Sequence, residues 1–267
     1  MDSKKNLVIA QGGGFRQIEC MTGILIALDE LGFHIGEYRG ASAGGIMSGI
    51  HASGHSGKDI AEIIKDTKES DLMRLSWWQM FKLCIPGVAV RHLYNRDGMK
   101  RFLEDLINED ETRLKVLVSL TNAETGESFM LPGAVDSFMG TSAIPEVFEP
   151  YDVGGILCID GGVKNNIPMI DVTDIDDFAH IFILLCNQSP GDKASAWTKT
   201  GRSLASLNMT MEREANQVFE EGWHKLPNCT GIQPPPFESG MLSWSKAHGL
   251  INHAYQYAKS LLNSKFK

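Results

Sequence analysis

The chain has 267 residues, 43% of them hydrophobic and 22% charged, and a formal net charge of −8. That length and apolar share support the core of one large α/β unit or two small ones. The acidic balance argues against the clustered Lys and Arg with which nucleic-acid binders neutralise phosphates, so no nucleic-acid partner is expected.

Met1 to Ala10 carries two lysines and one short apolar run, Leu7 to Ala10, too brief for a signal-peptide core. No stretch approaches the roughly 18 apolar residues of a membrane span. The five cysteines show no C-x-x-C spacing, and Cys20, Cys158 and Cys186 lie in apolar contexts as expected of buried thiols. A cytoplasmic, reducing location is the expectation.

Leu7 to Ala10 predicts a buried strand, broken by Gln11-Gly12-Gly13-Gly14. Ile18, Met21, Ile24, Leu25 and Leu28 then recur at helical spacing, with Gly32 placed to cap that helix. A short strand near Tyr38 and Arg39 leads into Gly40-Ala41-Ser42-Ala43-Gly44, and Gly45 to Ile50 starts a helix. Ile60 to Thr67 predicts an amphipathic helix. Within 72–90, Trp77, Trp78 and Phe81 lie among Arg74 and Lys82 with no acid nearby. This stretch reads either as a peripheral membrane contact or lid, or as a core-packing helix pair.

Arg96 to Asn108 reads as helix, Lys115 to Leu120 and Phe129 to Leu131 as strands, and Val135 to Met139 as a small-residue helix. Ile156 to Ile159 and His180 to Leu185 are further apolar strands. Ser203 to Glu221 and Ser245 to Leu262 are helices separated by Pro234-Pro235-Pro236, and Met209 and Met211 belong to a packing face of the first. The alternation predicts an α/β fold, a three-layer α/β/α sandwich with a mostly parallel central sheet. Residues 1–267 are expected to form a single domain, with a motif core at 6–185 and a C-terminal helical part at 195–267.

The chemistry concentrates in four places. Gly40 to Gly44 has the G-x-S-x-G form of a nucleophile elbow, in which small neighbours allow a tight strand-to-helix turn that presents the Ser42 hydroxyl. Gly12, Gly13 and Gly14 precede a helix, where bare amides suit a phosphate or an oxyanion. With Gln17 in place of a final glycine and no Lys-Ser/Thr pair, they are neither a dinucleotide fingerprint nor a P-loop. Asp160-Gly161-Gly162 ends an apolar strand, where open α/β sheets place their sites. Ser142 to Pro150 has the look of a pocket wall. Asp171, Asp174, Asp176 and Asp177 lack calcium-loop spacing and read as a solvated loop; no metal or cofactor is expected.

Taken in order, Gly12 to Arg16, Gly40 to Gly44, Ser142 to Pro150 and Asp160 to Pro168 resemble the patatin-like phospholipase family. The chain departs from the family pattern at Gln11 and Gln17, which flank the glycine amides. The resemblance implies a patatin-like fold and a serine lipid acyl hydrolase of phospholipase A or lysophospholipase type, acting on membrane phospholipid or another acyl lipid. It implies Ser42 as nucleophile, Asp160 as base, and an oxyanion hole at Gly12, Gly13 and Gly14 with Arg16 at the motif's arginine position. Three other readings stay open. One is an α/β-hydrolase using a base among His180, His224, His248 and His253; another is a lipid- or nucleotide-binding module without catalysis. The third is acyl transfer to an acceptor other than water.

Overall fold

Alternate residues of the first strand face two different cores. Leu7 and Ile9 pack with Ile181 and Ile183 on one side, Val8 and Ala10 with Phe182 and Leu184 on the other. A strand buried on both faces reads as a continuous apolar run, which is why Leu7 to Ala10 lacks polar alternation. The computed structural model describes residues 4–75, 94–107, 115–186, 199–237 and 247–266.

In chain order the elements are β1 (Asn6–Ala10), α1 (Gly14–Glu30), β2 (Ile35–Ala41), α2 (Ser42–Ala52), α3 (Gly57–Asp66), α4 (Glu69–Leu72), β3 (Arg74–Leu75) and β4 (Tyr94–Asn95). They continue with α5 (Asp97–Leu106), β5 (Lys115–Asn122), β6 (Ser128–Pro132), α6 (Val135–Thr141), β7 (Tyr151–Val153), β8 (Ile156–Asp160) and β9 (Ile181–Leu184). Then come α7 (Lys199–Glu220), β10 (Cys229–Ile232) and α8 (Ala247–Lys265). The large sheet has the order β10-β9-β1-β2-β5-β8-β7, with β6 also paired to β5. From β10 to β5 every pairing is parallel; β6, β7 and β8 pair antiparallel. Met21 and Ile24 of α1, Met47 and Ile50 of α2, Ile60 of α3 and Ala254 of α8 cover one face, while Ala215 and Val218 of α7 with Trp223 cover the other. This is the expected three-layer α/β/α sandwich with a mostly parallel sheet.

The sheet changes direction at β5. Leu117 to Ser119 are paired on both edges, to Arg39–Ala41 of β2 and to Met130–Pro132 of β6. Leu120 pairs with Phe129 of β6 on one edge and with Asp160 of β8 on the other. β2 and β8 therefore share one edge of β5, β2 up to Ser119 and β8 from Leu120 onward. β8 itself returns from β7 through a two-residue hairpin, Gly154 and Gly155, with φ of 63° and 90°. Such a pair of left-handed residues gives the turn twist that flanking strands require.

Several sequence expectations need correction. β8 runs antiparallel, and its first residues Ile156 and Leu157 are 39% and 40% exposed, so the apolar strand before Asp160 is not buried along its whole length. β10 adds an edge strand that its short, mixed sequence, Cys-Thr-Gly-Ile, did not reveal. Met209 is 65% exposed and lies off the packing face of α7. Gly32 does cap α1 at φ 75°: its amide reaches Asp29 O and that of Phe33 reaches Leu28 O, two orphan carbonyls of the last turn. Asp174, Asp176 and Asp177 are exposed on a short 3₁₀ segment. Residues 76–90 of the tryptophan-rich stretch lie outside the described residues. No helix among those described is long and apolar enough to cross a membrane.

Candidate active site

Ser42 stands at the junction of β2 and α2 with φ 49°, a left-handed backbone that costs a residue with a Cβ about 1–2 kcal/mol. The turn is tight enough to need its glycines. A Cβ on Gly40 would lie 2.6 Å from the Gly45 nitrogen, and one on Gly44 would lie 2.6 Å from the Ala10 carbonyl oxygen. Crowding of that kind presses the elbow against the end of β1 and leaves the serine side chain projecting from the turn. The Ser42 amide donates to Thr141 Oγ1 at 2.9 Å, and the Thr141 hydroxyl donates in turn to Ser119 O, tying the elbow to β5.

The Ser42 Oγ donates to Asp160 Oδ2 at 2.6 Å. Both residues are buried, at 5% and 1% exposure. The other carboxylate oxygen accepts from the Gly162 amide at 2.7 Å, which is the use of the glycine turn after the acid. At Gly161 a Cβ would strike the Ser119 carbonyl, so the turn lies flat on β5. The Asp160 backbone is held on both sides: its amide donates to Ala143 O at 2.9 Å, and Thr121 Oγ1 donates to its carbonyl at 3.2 Å. Burial pushes the Asp160 carboxyl up to about 6, against the lowering effect of the Ser42 and Gly162 bonds and of the Arg96 charge. A carboxylate otherwise too weak to accept a hydroxyl proton is thereby made more basic.

Arg96, at the head of α5, was not singled out from sequence. Its guanidinium donates from Nη1 to Met139 O at 2.7 Å and to Ser142 Oγ at 3.3 Å, and from Nη2 to Glu149 O at 3.1 Å. It lies over the Phe148 ring at 4.7 Å. Burial lowers its own affinity for the proton to about 10, which still leaves it charged at neutral pH. A buried cation thus knits the expected pocket wall, Ser142 to Glu149, to the end of α6.

Of the three glycines, Gly12 is already engaged: its amide donates to Asn166 Oδ1 at 3.1 Å and to Asn166 O at 3.2 Å. Asn166 is itself fixed, its amide donating to Glu214 Oε2 at 2.8 Å. The amides of Gly13 and Gly14, at the head of α1, have no acceptor among the described residues, as the first amides of a helix leave them. Arg16 is fully buried in the first turn of α1, where its charge bears on Glu19, Cys20 and Cys186. The cation that bears on Asp160 is Arg96 instead. Glu19 is raised to about 8 by burial and is mostly uncharged at neutral pH.

Of the candidate histidines, those whose side chains are described have other partners. His180 is buried, with Nε2 2.7 Å from Thr230 Oγ1; burial holds it down at about 4, so it is neutral. His253 Nε2 meets Pro235 O at 3.1 Å, and the His224 ring packs on Phe219 at 4.9 Å. The side chain of His248 lies outside the description. An apolar pocket opens beside Ser42, walled by Phe15, Ile46, Met73, Ile144 and Phe148.

The family model described as patatin-like phospholipase matches residues 8–173, more than half of the chain. The uncharacterized NTE family protein Rv1063c of Mycobacterium tuberculosis is 23% identical over 199 residues, 73% of this chain and 53% of the relative. The uncharacterized protein YqhO of Bacillus subtilis is 29% identical over 191 residues, 60% of this chain and 64% of that protein. Lysophospholipase nte1 of Neurospora crassa is 23% identical over 285 residues, which is 96% of this chain but only 18% of the relative. The chain therefore spans about half the length of the mycobacterial relative and under a fifth of the fungal one. In fold it resembles the crystal structure of VipD from Legionella pneumophila, with a TM-score of 0.59 at 15% identity over 98% of this chain and 67% of that one. On the match to its family model, the chain belongs to the patatin-like phospholipase family.

Proposed function

We propose that the chain hydrolyses the carboxyl esters of acyl lipids, through a Ser42–Asp160 dyad and an acyl-enzyme. The observation that carries this reading is the 2.6 Å bond from Ser42 Oγ to a buried carboxylate, made on a strained elbow at the mouth of an apolar cavity. Asp160 takes the hydroxyl proton as Oγ adds to the ester carbonyl. The amides of Gly13 and Gly14 receive the oxyanion, aided by the positive end of α1. Collapse of the intermediate expels the alcohol, which leaves with the proton from Asp160. A water then gives its proton to Asp160, adds to the acyl group, and the fatty acid departs from a regenerated Ser42.

The features that favour a dyad over a histidine base are the direct Ser42–Asp160 bond and the engagement of His180 and His253 with other partners. Catalysis is favoured over simple binding by cost: a left-handed serine and a buried carboxylate both lower stability, and a binding module has no use for either. The relative named a lysophospholipase agrees with an acyl-lipid substrate. Acyl transfer to another acceptor differs only in the second nucleophile. The test is labelling with a fluorophosphonate and hydrolysis of a nitrophenyl ester. Label on Ser42, with both signals lost in Ser42→Ala, is expected; turnover that survives in Ser42→Ala overturns the reading.

A further inference from the structure

The four described cysteines, Cys20, Cys158, Cys186 and Cys229, are all free. Two of them meet. Cys20 lies on α1 one turn after Arg16, and Cys186 follows the end of β9 by two residues. The contact is reciprocal: Cys20 Sγ lies 3.9 Å from Leu185 O, and Cys186 Sγ lies 4.0 Å from Arg16 O. Each sulfur rests on backbone that shortly precedes the other, and the Cys20 thiol donates a hydrogen bond to Cys186. The Cys186 backbone is fixed by its amide, which donates to Gln11 Oε1 at 3.1 Å.

The surroundings give the two thiols different roles. The bond from Cys20, with the charge and hydrogen bond of the buried Arg16 guanidinium, favours the Cys186 thiolate and holds its pKa below the ordinary thiol range. Cys20, the donor of that bond and wholly buried, is pushed up and keeps its proton. Glu19 stands close enough to sense the charge on Cys186; it titrates at about 8, and so carries a proton at neutral pH. Neither of its carboxyl oxygens has a hydrogen-bond partner among the described residues. Cys186 is half-buried where Cys20 is buried, so a small oxidant meets Cys186 first.

We propose that Cys186 is a modification site for hydroperoxides, and that Cys20 closes on it as a disulfide. The Cys186 sulfur attacks one peroxide oxygen and the O–O bond breaks. The departing hydroxide or alkoxide takes the Glu19 proton and leaves as water or alcohol, and Glu19 regains a proton from solvent. Cys186 is thereby oxidised to the sulfenic acid and the peroxide is reduced. The Cys20 sulfur then displaces hydroxide from the Cys186 sulfur: the S–S bond forms, the S–O bond breaks, and the Cys20 proton leaves with the hydroxide as water. The new bond staples α1 to the end of β9 and removes the negative charge that Arg16 faces. This site stands independently of the acyl-hydrolase reading.

In the experiment the reduced full chain is treated with hydrogen peroxide, quenched with N-ethylmaleimide and mapped by peptide mass spectrometry, following all five cysteines. Burial pushes Cys229 up to about 11 while Cys186 lies below its ordinary value, so their thiolate populations at neutral pH differ by about a hundredfold. The greater nucleophilicity of the more basic thiolate returns about tenfold of that, so Cys186 should oxidise about tenfold faster than Cys229. The product should be a Cys20–Cys186 cross-link that dithiothreitol reverses. In Cys20→Ser, dimedone should trap a sulfenic acid on Cys186. Oxidation of Cys186 no faster than that of Cys229, or a cross-link from Cys186 to a cysteine other than Cys20, overturns the proposal. So does a folded Cys20→Ser variant that yields no dimedone adduct at Cys186. If Cys20→Ser does not fold, the wild-type peptide map decides alone.

Discussion

Ala41 and Asp160 occupy successive places along one edge of β5, Ala41 opposite Ser119 and Asp160 opposite Leu120. β2 leaves that edge where β8, running the other way, takes it over. The next residue after Ala41 is Ser42, so two groups 118 positions apart in sequence are brought to 2.6 Å by a shared ladder. Neither strand pairs with the other; β5 sets their separation.

Asp160→Asn is expected to abolish ester hydrolysis and yet to stabilise the fold at neutral pH. The folded carboxyl titrates at about 6, above its ordinary value near 4, so the native state favours the protonated form. Stability from that preference is complete below the unfolded value and is lost as pH rises through about 6. At neutral pH the ionised, buried group is a liability of up to about 3 kcal/mol, which the neutral amide removes. Urea melts should show the variant ahead near pH 8, with the gap closing as pH falls toward 4. An unchanged gap at both pH values would contradict the buried-base assignment.

The same titration predicts an acid limb in the kinetics. Only ionised Asp160 accepts the Ser42 proton, so kcat/KM should fall about tenfold per pH unit below about 6. Arg96 lowers the Asp160 value by its charge, and Arg96→Met should therefore move the limb upward. Arg96→Lys keeps a cation but loses the forked bonds to Met139 O and Glu149 O, so its limb should move less while turnover still drops. A pH–rate profile separates this from a purely structural role, which lowers activity at every pH and leaves the limb in place.

Strain at the elbow can be measured by pairing two inactive variants. Ser42→Ala and Ser42→Gly both lose the hydroxyl and its bond to Asp160, but only alanine keeps a Cβ at φ 49°. Ser42→Gly should be the more stable of the two by about 1 kcal/mol, read from denaturant midpoints. Equal midpoints would mean that the elbow relaxes once the serine is gone.

Far from the chemistry, α1 and α8 cross closely at Gly23. A Cβ there would lie 2.8 Å from the Tyr255 amide nitrogen and would also collide with the Ile251 carbonyl, both backbone atoms of α8. Gly23→Ala should cost about 1–3 kcal/mol and lower Tm by several degrees, because the two helices must separate to admit one methyl group. Differential scanning calorimetry against the wild type checks this.

Ser42, Asp160 and their glycines were legible because their demands are local: a tight turn, a close backbone approach, an amide beside a carboxylate. The layered fold was legible too, since strands buried on both faces and amphipathic helices leave opposite periodicities. Arg96, Thr141 and Asn166 were not. Their work consists of bonds across 43 to 154 positions, to Met139, Ser42 and Gly12, and an arginine before a helix or a threonine at the end of one carries no mark of such a partner. Strand direction was hidden as well: Ile156 to Ile159 is apolar like a parallel strand, yet β8 runs backwards and exposes its first two residues at the rim. The amide of Gly12 looked as available as those of Gly13 and Gly14 until the fold placed Asn166 on it.

The diglycine corner between β7 and β8 has a reach well beyond its own place on the rim. It matches Val153 with Ile156 and so sets the phase in which β8 advances toward β5. Since side chains alternate faces with a period of two, one extra residue in that corner would rotate the acid to the opposite side of the sheet. Every atom around the serine could stay where it is, and the proposed dyad would still lose its carboxylate. In this chain the timing of a surface bend and the chemistry of a buried pair are one property.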